Sequence, residues 1–593
     1  MITGKYINKY YKKYFWFFVV GIIALLLVNY FQLEIPRICG EIIDGVKDGS
    51  LFLDENSNRI LRYMIYLMVI AIIMFSGRFL WRISIFGIGI RVSCDIREDM
   101  FSHSEKLSNQ FYKEHKTGAL MALYTNDIQT MRQSFAMGTV ATVDCISLGS
   151  LAIYKMFKTN WILASFSILP MIVLVFIMAK ISKVMKKRFF LRQKAYDNIS
   201  DFSQENFSGI SVIKAFVKEY FEIKHFARLN KDYYDTNINY VKLATLLDCS
   251  LSLFLSLIVA ILLGGGAYFV VSDFTFFGEE FTVGKLWEFV AYFNSVIWPF
   301  MAIARIIEIR TQAKVSYKRI EDLLDSKIDI VDDNTLEVDE LKGKIEFRNL
   351  SYKYPDGSNN VLDNISFTIN AGEMVGIIGK TGCGKTTIVD LLLRTYNLEP
   401  NTLFLDDIDI MSIPYKKVRD SIGYVPQDNF LFSDTIANNI AFAYDNLNDD
   451  ALIEAAARLS DVHNNIIEFH DQYQTILGER GVTLSGGQKQ RVSIARAVIK
   501  DPKILILDDS VSAVDTKTEE HILTNLRSMR QGKTTIMIAH RISTVESLDK
   551  IIVMDEGRVI GVGSHSELMK TNELYQEMVH LQSLEEMVNG GED

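Results

Sequence analysis

Cysteine is scarce and unpatterned in this chain. The five cysteines, Cys39, Cys94, Cys145, Cys249 and Cys383, are odd in number and never form a C-x-x-C pair. That excludes a disulfide framework and a thiolate metal site. Charge is thin as well: 23% of the 593 residues are charged and the net charge is −9, so no basic surface recommends a nucleic-acid partner. A phosphate-bearing ligand, if bound, has to be met by a local site. Proline is missing from two long polar stretches, 91–133 and 180–248, which leaves both free to run as uninterrupted helix. No cleavable signal peptide is expected, because the first apolar run is too long for a signal core and lacks a small-residue cleavage site.

What the chain has in excess is apolar residues, 49% of the total, concentrated in the first half. Six runs stand out, at about 14–33, 61–90, 134–154, 161–179, 249–272 and 286–304. The run from Tyr14 to Leu33 carries no charge, and a helix of about 20 residues crosses a hydrocarbon core of about 30 Å. A buried soluble helix would explain any one run but not six within one half of the chain. Lys5, Lys9, Lys12 and Lys13 precede the first run, Arg91 to Arg132 separate the second and third, Lys180 to Arg188 follow the fourth, and Arg310 to Arg319 follow the sixth. These basic segments fall on one side, which the positive-inside rule makes cytoplasmic; both termini are then cytoplasmic and the membrane is the cell membrane. About 45 residues separate the second and third runs and about 70 the fourth and fifth. Both intervals are expected to extend the helices into the cytoplasm. The expected organisation is a six-helix transmembrane domain over 1–320, a charged linker over 321–343 and an α/β domain over 344–593. In the last of these, strand-like runs such as MVGIIG and KILILDD alternate with helical segments, the pattern of a largely parallel sheet.

The run GKTGCGKT from Gly379 to Thr386 fits G-x-x-x-x-G-K-[ST], directly after an apolar strand and before a helical segment. That is the context a phosphate-binding loop requires. Backbone N–H groups of Gly379, Thr381, Gly382, Cys383 and Gly384 turn around phosphate oxygens, Lys385 supplies a point charge, and the hydroxyls of Thr386 and Thr387 stand at the helix start, Thr386 suited to Mg²⁺. Ile504 to Leu507 reads as a buried strand ending in the carboxylate of Asp508, placed to hold Mg²⁺ in such ATPases.

The segment TLSGGQKQRVSIARA, with Ser485, Gly486, Gly487 and Gln488, resembles the signature of ATP-binding cassette proteins almost letter for letter. A helix-capping loop is the structural alternative for those residues. The resemblance covers nearly the whole chain and implies an exporter half: a helical membrane domain plus a P-loop nucleotide-binding domain of α/β fold, the cofactors ATP and Mg²⁺, and a dimer in which each signature serves the partner's ATP. It implies that Tyr354 stacks on adenine, Gln427 senses Mg²⁺ beside Thr386 and Asp508, Glu479-Arg480-Gly481 touches the membrane domain, Ser512 to Asp515 crosses the dimer interface, and His540 is the switch histidine. The stretches TGALMALYTNDIQTMRQSF and SQENFSGISVIKAFVKE resemble the coupling loops of type I exporters.

One position departs from the family. After Asp508 the family has Glu, which polarises the attacking water; here it is Asp509. The stretch LDDSVSAVD resembles the degenerate-site subunit of heterodimeric multidrug exporters. The expectation is therefore a second half-transporter as partner, a hydrolytically poor site built on this chain's Lys385, Asp508 and Asp509, and an intact signature lent to the competent site. Asp144, Asp248 and Glu288 lie within or beside the apolar runs and are candidates for substrate contact, along with Arg78 and Arg82. A net acidic cavity would favour amphipathic cations; structural ion pairing is the alternative. A peptide or lipid exporter, or a nucleotide-sensing subunit that moves nothing, shares the same motifs, although a cargo-trimming peptide exporter would have a protease domain ahead of Tyr14.

Overall fold

The computed structural model describes residues 3–49, 51, 57–272, 275–276, 279–332, 335–444, 447, 449–478, 481, 483–510 and 516–589. The chain forms two compact units, Met1–Phe101 with Leu120–Leu324, and Ser102–Ala119 with Asp325–Asp593. The segment Ser102–Ala119, from the first long polar interval, thus counts with the second unit.

The first unit is helical. Its principal helices are α1 (Phe15–Lys47), α2 (Ser57–Trp81), α3 (Met137–Thr159), α4 (Trp161–Ser208), α5 (Glu219–Val271) and α6 (Val283–Leu324). Helix α2 passes through a π turn, Arg82–Phe86, into a further helix, Gly87–Ser104. Each apolar run overlaps one of these helical stretches, the third beginning before the break at Ala136 that precedes α3. Among the described residues five stretches are long and apolar enough to cross a membrane; the fourth run contributes the shorter apolar segment Trp161–Leu174 at the start of α4. Helices α4 and α5 have 48 and 53 residues, more than twice the roughly 20 a bilayer needs, because the polar intervals continue the helix without proline.

Large apolar side chains stand exposed along these helices, Phe75 at 74% and Leu253 at 72%. Such surface is stable only in a solvent as apolar as itself, and helices satisfy their own backbone there. Close packing uses small residues. Gly40 of α1 and Gly284 of α6 meet backbone to backbone: a Cβ on Gly284 would lie 2.1 Å from the Gly40 carbonyl oxygen. Asp44 fixes the crossing by accepting from the Gly284 N–H at 2.8 Å.

The second unit is α/β. Its main sheet has six strands: β1 (Met374–Gly379), β2 (Ile422–Val425), β3 (Ile504–Asp508), β4 (Thr534–Ile538), β5 (Lys550–Asp555) and β6 (Arg558–Gly563). They lie in the order β6-β5-β1-β4-β3-β2. All neighbouring pairs are parallel except the β5–β6 edge hairpin. Strand β3 is apolar throughout because both its faces are covered: Ile504 and Ile506 enter one core, Leu505 and Leu507 the other. A four-stranded antiparallel sheet, ordered Leu362–Ile369, Ile345–Tyr352, Leu403–Leu405, Ile408–Asp409, shares the first of these cores.

Candidate functional site

The carboxyl ends of β1, β3 and β4 define the site, the usual place for a ligand in an open parallel sheet. Strand β1 delivers the loop 379–384, and helix α7 (Lys385–Leu392) starts at its end. The loop turns through left-handed glycines, Gly382 at φ +84° and Gly384 at φ +100°, conformations that side chains with a Cβ resist. Gly379 is needed for space: a Cβ there would meet the Met554 carbonyl oxygen at 2.2 Å and Cys383 Sγ at 2.8 Å. Cys383 and Thr387 are buried, while Thr381 and Thr386 are exposed at the rim. Lys385 is buried, and its ammonium donates to the carbonyls of Gly379 at 2.8 Å and Lys380 at 3.1 Å. The loop stores its cation on its own carbonyls, and the Cys383 N–H donates to the Lys380 carbonyl at 3.3 Å; a glycine-rich turn at a helix start is the setting a phosphate requires.

Asp508 ends β3 almost fully buried, and its Oδ2 has no hydrogen-bond partner among the described residues. Burial pushes its carboxyl up to about 6; the charges of Asp509 and Asp390 add to this, and the Thr386 hydroxyl and Lys385 oppose it. A buried, unsatisfied carboxylate oxygen near a threonine hydroxyl suits a hard dication such as Mg²⁺. Asp509 follows with a left-handed backbone, φ +48°, which Asp tolerates better than longer residues. Its N–H donates to the Ile538 carbonyl at 2.9 Å, tying it to the end of β4. Its Oδ2 accepts from the Gln427 amide at 3.4 Å, and its carbonyl from Gln490 at 3.5 Å. Gln427, beyond β2, and His540, beyond β4, are both exposed; the His540 carbonyl accepts from Gln582 at 2.8 Å. Lys385, Asp508, Asp509 and Gln427 are thus brought together from segments far apart in sequence.

Ser485 caps helix α8 (Gly486–Val498) in a capping box. Its Oγ accepts from the Gln488 N–H at 3.3 Å, and its own N–H donates to Gln488 Oε1 at 3.0 Å. The capping role weighed for this loop is real, yet it spends only an acceptor lone pair; the Ser485 O–H and the first-turn N–H groups of Gly486 and Gly487 stay available for an anion. The expected loops Glu479-Arg480-Gly481 and Ser512 to Asp515 lie outside the described residues except for Gly481.

Sequence reasoning missed the surroundings of Tyr354. Its hydroxyl meets Thr387 Oγ1 at 3.1 Å and Asp390 at 3.4 Å. Its ring is met edge to face by Tyr352 and Tyr396, with centroids 5.3 and 5.2 Å away. The Lys113 ammonium lies 4.8 Å over that ring and donates to the Tyr396 hydroxyl at 2.8 Å. Tyr396 follows α7 by four residues and Lys113 lies more than 200 residues earlier, and neither carries a local sequence signal.

The membrane unit answers the question about its charges. Asp144 is buried and accepts from Asn29 at 2.9 Å and from the Trp298 indole at 3.1 Å. It shares a cavity with Arg78 and Arg82. Glu288 lies elsewhere and accepts from the Tyr292 hydroxyl at 2.6 Å, and Asp248 is exposed on α5. Of the three acids, Asp144 alone lines this cavity among the described residues, together with Arg78 and Arg82.

A membrane-helical unit joined to an α/β unit with this phosphate loop defines an ATP-powered membrane protein. Residues 18–300 match the model of the ABC transporter transmembrane region, and residues 362–512 that of the ABC transporter ATPase domain. The chain belongs to the ABC transporter family, as an ATP-driven exporter. It is 33% identical over 582 residues to a multidrug resistance-like ATP-binding protein of Escherichia coli, covering 98% of this chain and 96% of that one. It is 34% identical over 588 residues to a probable multidrug resistance ABC transporter ATP-binding/permease protein of Bacillus subtilis, covering 99% of each. Its fold matches that of a bacterial Atm1-family ABC exporter with ATP bound, with a TM-score of 0.76 at 26% identity over 96% of this chain and 98% of that one.

Proposed function

We propose that this chain is one half of a plasma-membrane exporter of amphipathic compounds, paired with a different half-transporter and carrying the poorer of two ATP sites. Its termini and nucleotide-binding domain face the cytoplasm. The similarity to multidrug resistance proteins supports the substrate class. Asp509 carries the rest: it occupies the position where a longer carboxylate would polarise water, and it rests on Gln427. Lys385 and the loop N–H groups hold the phosphates, Tyr354 the adenine, and Thr386, Asp508 and Gln427 the Mg²⁺. His540 stands at the γ-phosphate position. When bound, ATP supplies the free energy that separates the open and closed arrangements of the dimer. Of the candidate acids Asp144, Asp248 and Glu288, Asp144 lines the cavity between the membrane helices.

The test is reconstitution into vesicles, alone and with a candidate partner half-transporter that has Glu after its Walker B Asp. The pair should accumulate fluorescent amphipathic dyes with ATP, and the single chain should turn over slowly. Vigorous, cooperative ATPase from the single chain would overturn the pairing; ATP binding by the pair with no uptake would point to a regulatory subunit instead.

Ser485→Asp separates capping from phosphate binding. Asp caps helices as well as Ser does, so the thermal midpoint should hold. The new anion would face the partner's γ-phosphate, and ATPase of the pair should fall at least ~10-fold, the effect of one repulsion of about 1.4 kcal/mol. Unchanged ATPase would reduce Ser485 to a cap.

A further inference from the structure

Helices α1, α2, α3 and α6 line an open cavity of about 340 Å³, within the range of small-molecule sites. Arg78 and Arg82 stand one turn apart on its wall, with Trp81 between them and Trp298 opposite on α6. Ionisable residues at membrane depth are costly and mark a transport path unless paired. Among the described residues no carboxylate lies within 4.0 Å of either guanidinium. The one acid in the wall, Asp144, is committed elsewhere, each oxygen accepting from a neutral donor, Asn29 or Trp298. A second unfilled donor lies beside the arginines: the Trp81 indole N–H is buried and has no acceptor among the described residues. The helix also widens into a π turn beginning at Arg82, an irregularity found mostly at functional sites.

We infer that this cavity takes the anionic head of an amphipathic substrate, a carboxylate, sulfonate or phosphate joined to an aromatic or acyl body. Arg78 and Arg82 hold the head through charge-assisted, bidentate hydrogen bonds. The Arg82 guanidinium lies over the Trp81 ring, 5.6 Å from its centroid, and the Trp298 ring flanks the body. Asp144 positions Trp298 and Asn29. This rests on the exporter reading for the meaning of the site, and it gives the cargo a charge opposite to the one the acids in the sequence suggest.

The experiment uses the chain paired with its partner half-transporter in vesicles of neutral phosphatidylcholine and two probes with one body and opposite charge, pyrenebutanoate and pyrenebutyl-trimethylammonium. The anion should bind at least ~10-fold more tightly, as one charge-assisted hydrogen bond provides. Replacing both arginines, Arg78→Gln with Arg82→Gln, should remove that advantage and leave cation binding unchanged or stronger. Binding of a fluorescent ATP analogue reports that the variant is folded; if it is not, Arg82→Lys alone, which keeps the charge but loses the bidentate fork, should give an intermediate loss. Asp144→Asn should strengthen anion binding about 3-fold by removing a nearby like charge. Equal or tighter binding of the cation, or an anion affinity indifferent to both arginines, would overturn the assignment. Competition by added phosphatidylglycerol makes the natural head a lipid phosphate; anion binding without competition makes it a soluble organic anion. Anion binding without ATP-dependent uptake would refute export and keep the site, whereas ATP-dependent uptake of the cation alone would do the reverse.

Discussion

Purified without a partner, the Asp509→Glu chain should hydrolyse ATP about 100-fold faster than the natural chain, since a displacement of about 1 Å in a positioning group costs about that factor. Two copies would build each site from this chain's phosphate loop and this chain's intact LSGGQ, so the short carboxylate is the one identified defect. One methylene sets the Asp509 oxygens back by about 1.5 Å, the length of a carbon–carbon bond. The Glu has a cost: the left-handed backbone at φ +48° disfavours a longer side chain by about 1 kcal/mol, and Gln427 must give up its contact at 3.4 Å. The melting temperature should therefore fall slightly while the rate rises, and that divergence separates repair of chemistry from repair of folding. Phosphate release at saturating ATP is the measurement. Rapid turnover by the natural chain, or no gain on substitution, would show that Asp509 already serves.

The phosphate loop was legible because its requirements are local. A buried strand, two left-handed glycines and a lysine at the helix start are contiguous, and each is forced by sterics at its own position. Asp508 was legible for a similar reason, since few features other than a strand covered on both faces explain Ile504 to Leu507. The length of α4 and α5 followed from missing prolines over 180–248, whereas the equally proline-free 91–133 breaks into shorter helices. What could not be read depends on side chains that meet across the fold. Lys113 reaches Tyr354 and Tyr396 only because Ser102–Ala119 folds with the second unit. The surroundings of Asp144 turned on Asn29 and Trp298 occupying both its oxygens while, among the described residues, no carboxylate pairs with Arg78 or Arg82, and no periodicity reports a hydrogen bond between residues more than 100 positions apart. The strain at Asp509 was invisible as well: its departure from Glu was plain in the sequence, its left-handed backbone was not.

Lys385→Arg should abolish nucleotide binding as thoroughly as Lys385→Ala, although it keeps the charge. The ammonium sits in a slot only 6% exposed, held by the carbonyls of Gly379 and Lys380. That slot suits a compact point charge on a flexible stem. A guanidinium is planar, wider and fixed in its fork, and forcing it into the space beside buried Cys383 overpacks the loop by about 1–3 kcal/mol. Removing the charge altogether forfeits about 2–5 kcal/mol of interaction with a desolvated anion, a loss of about 30- to 4,000-fold in affinity. The two variants should differ in stability: Lys385→Ala frees two carbonyls that water can reach from the rim, so its melting temperature should stay near that of the natural chain, while Lys385→Arg should melt lower. Titration with a fluorescent ATP analogue, with thermal melting of the same samples, reads both effects. An arginine variant that binds ATP normally would mean that the loop opens freely, and that the stored contacts of Lys385 do not define the geometry in which it meets phosphate.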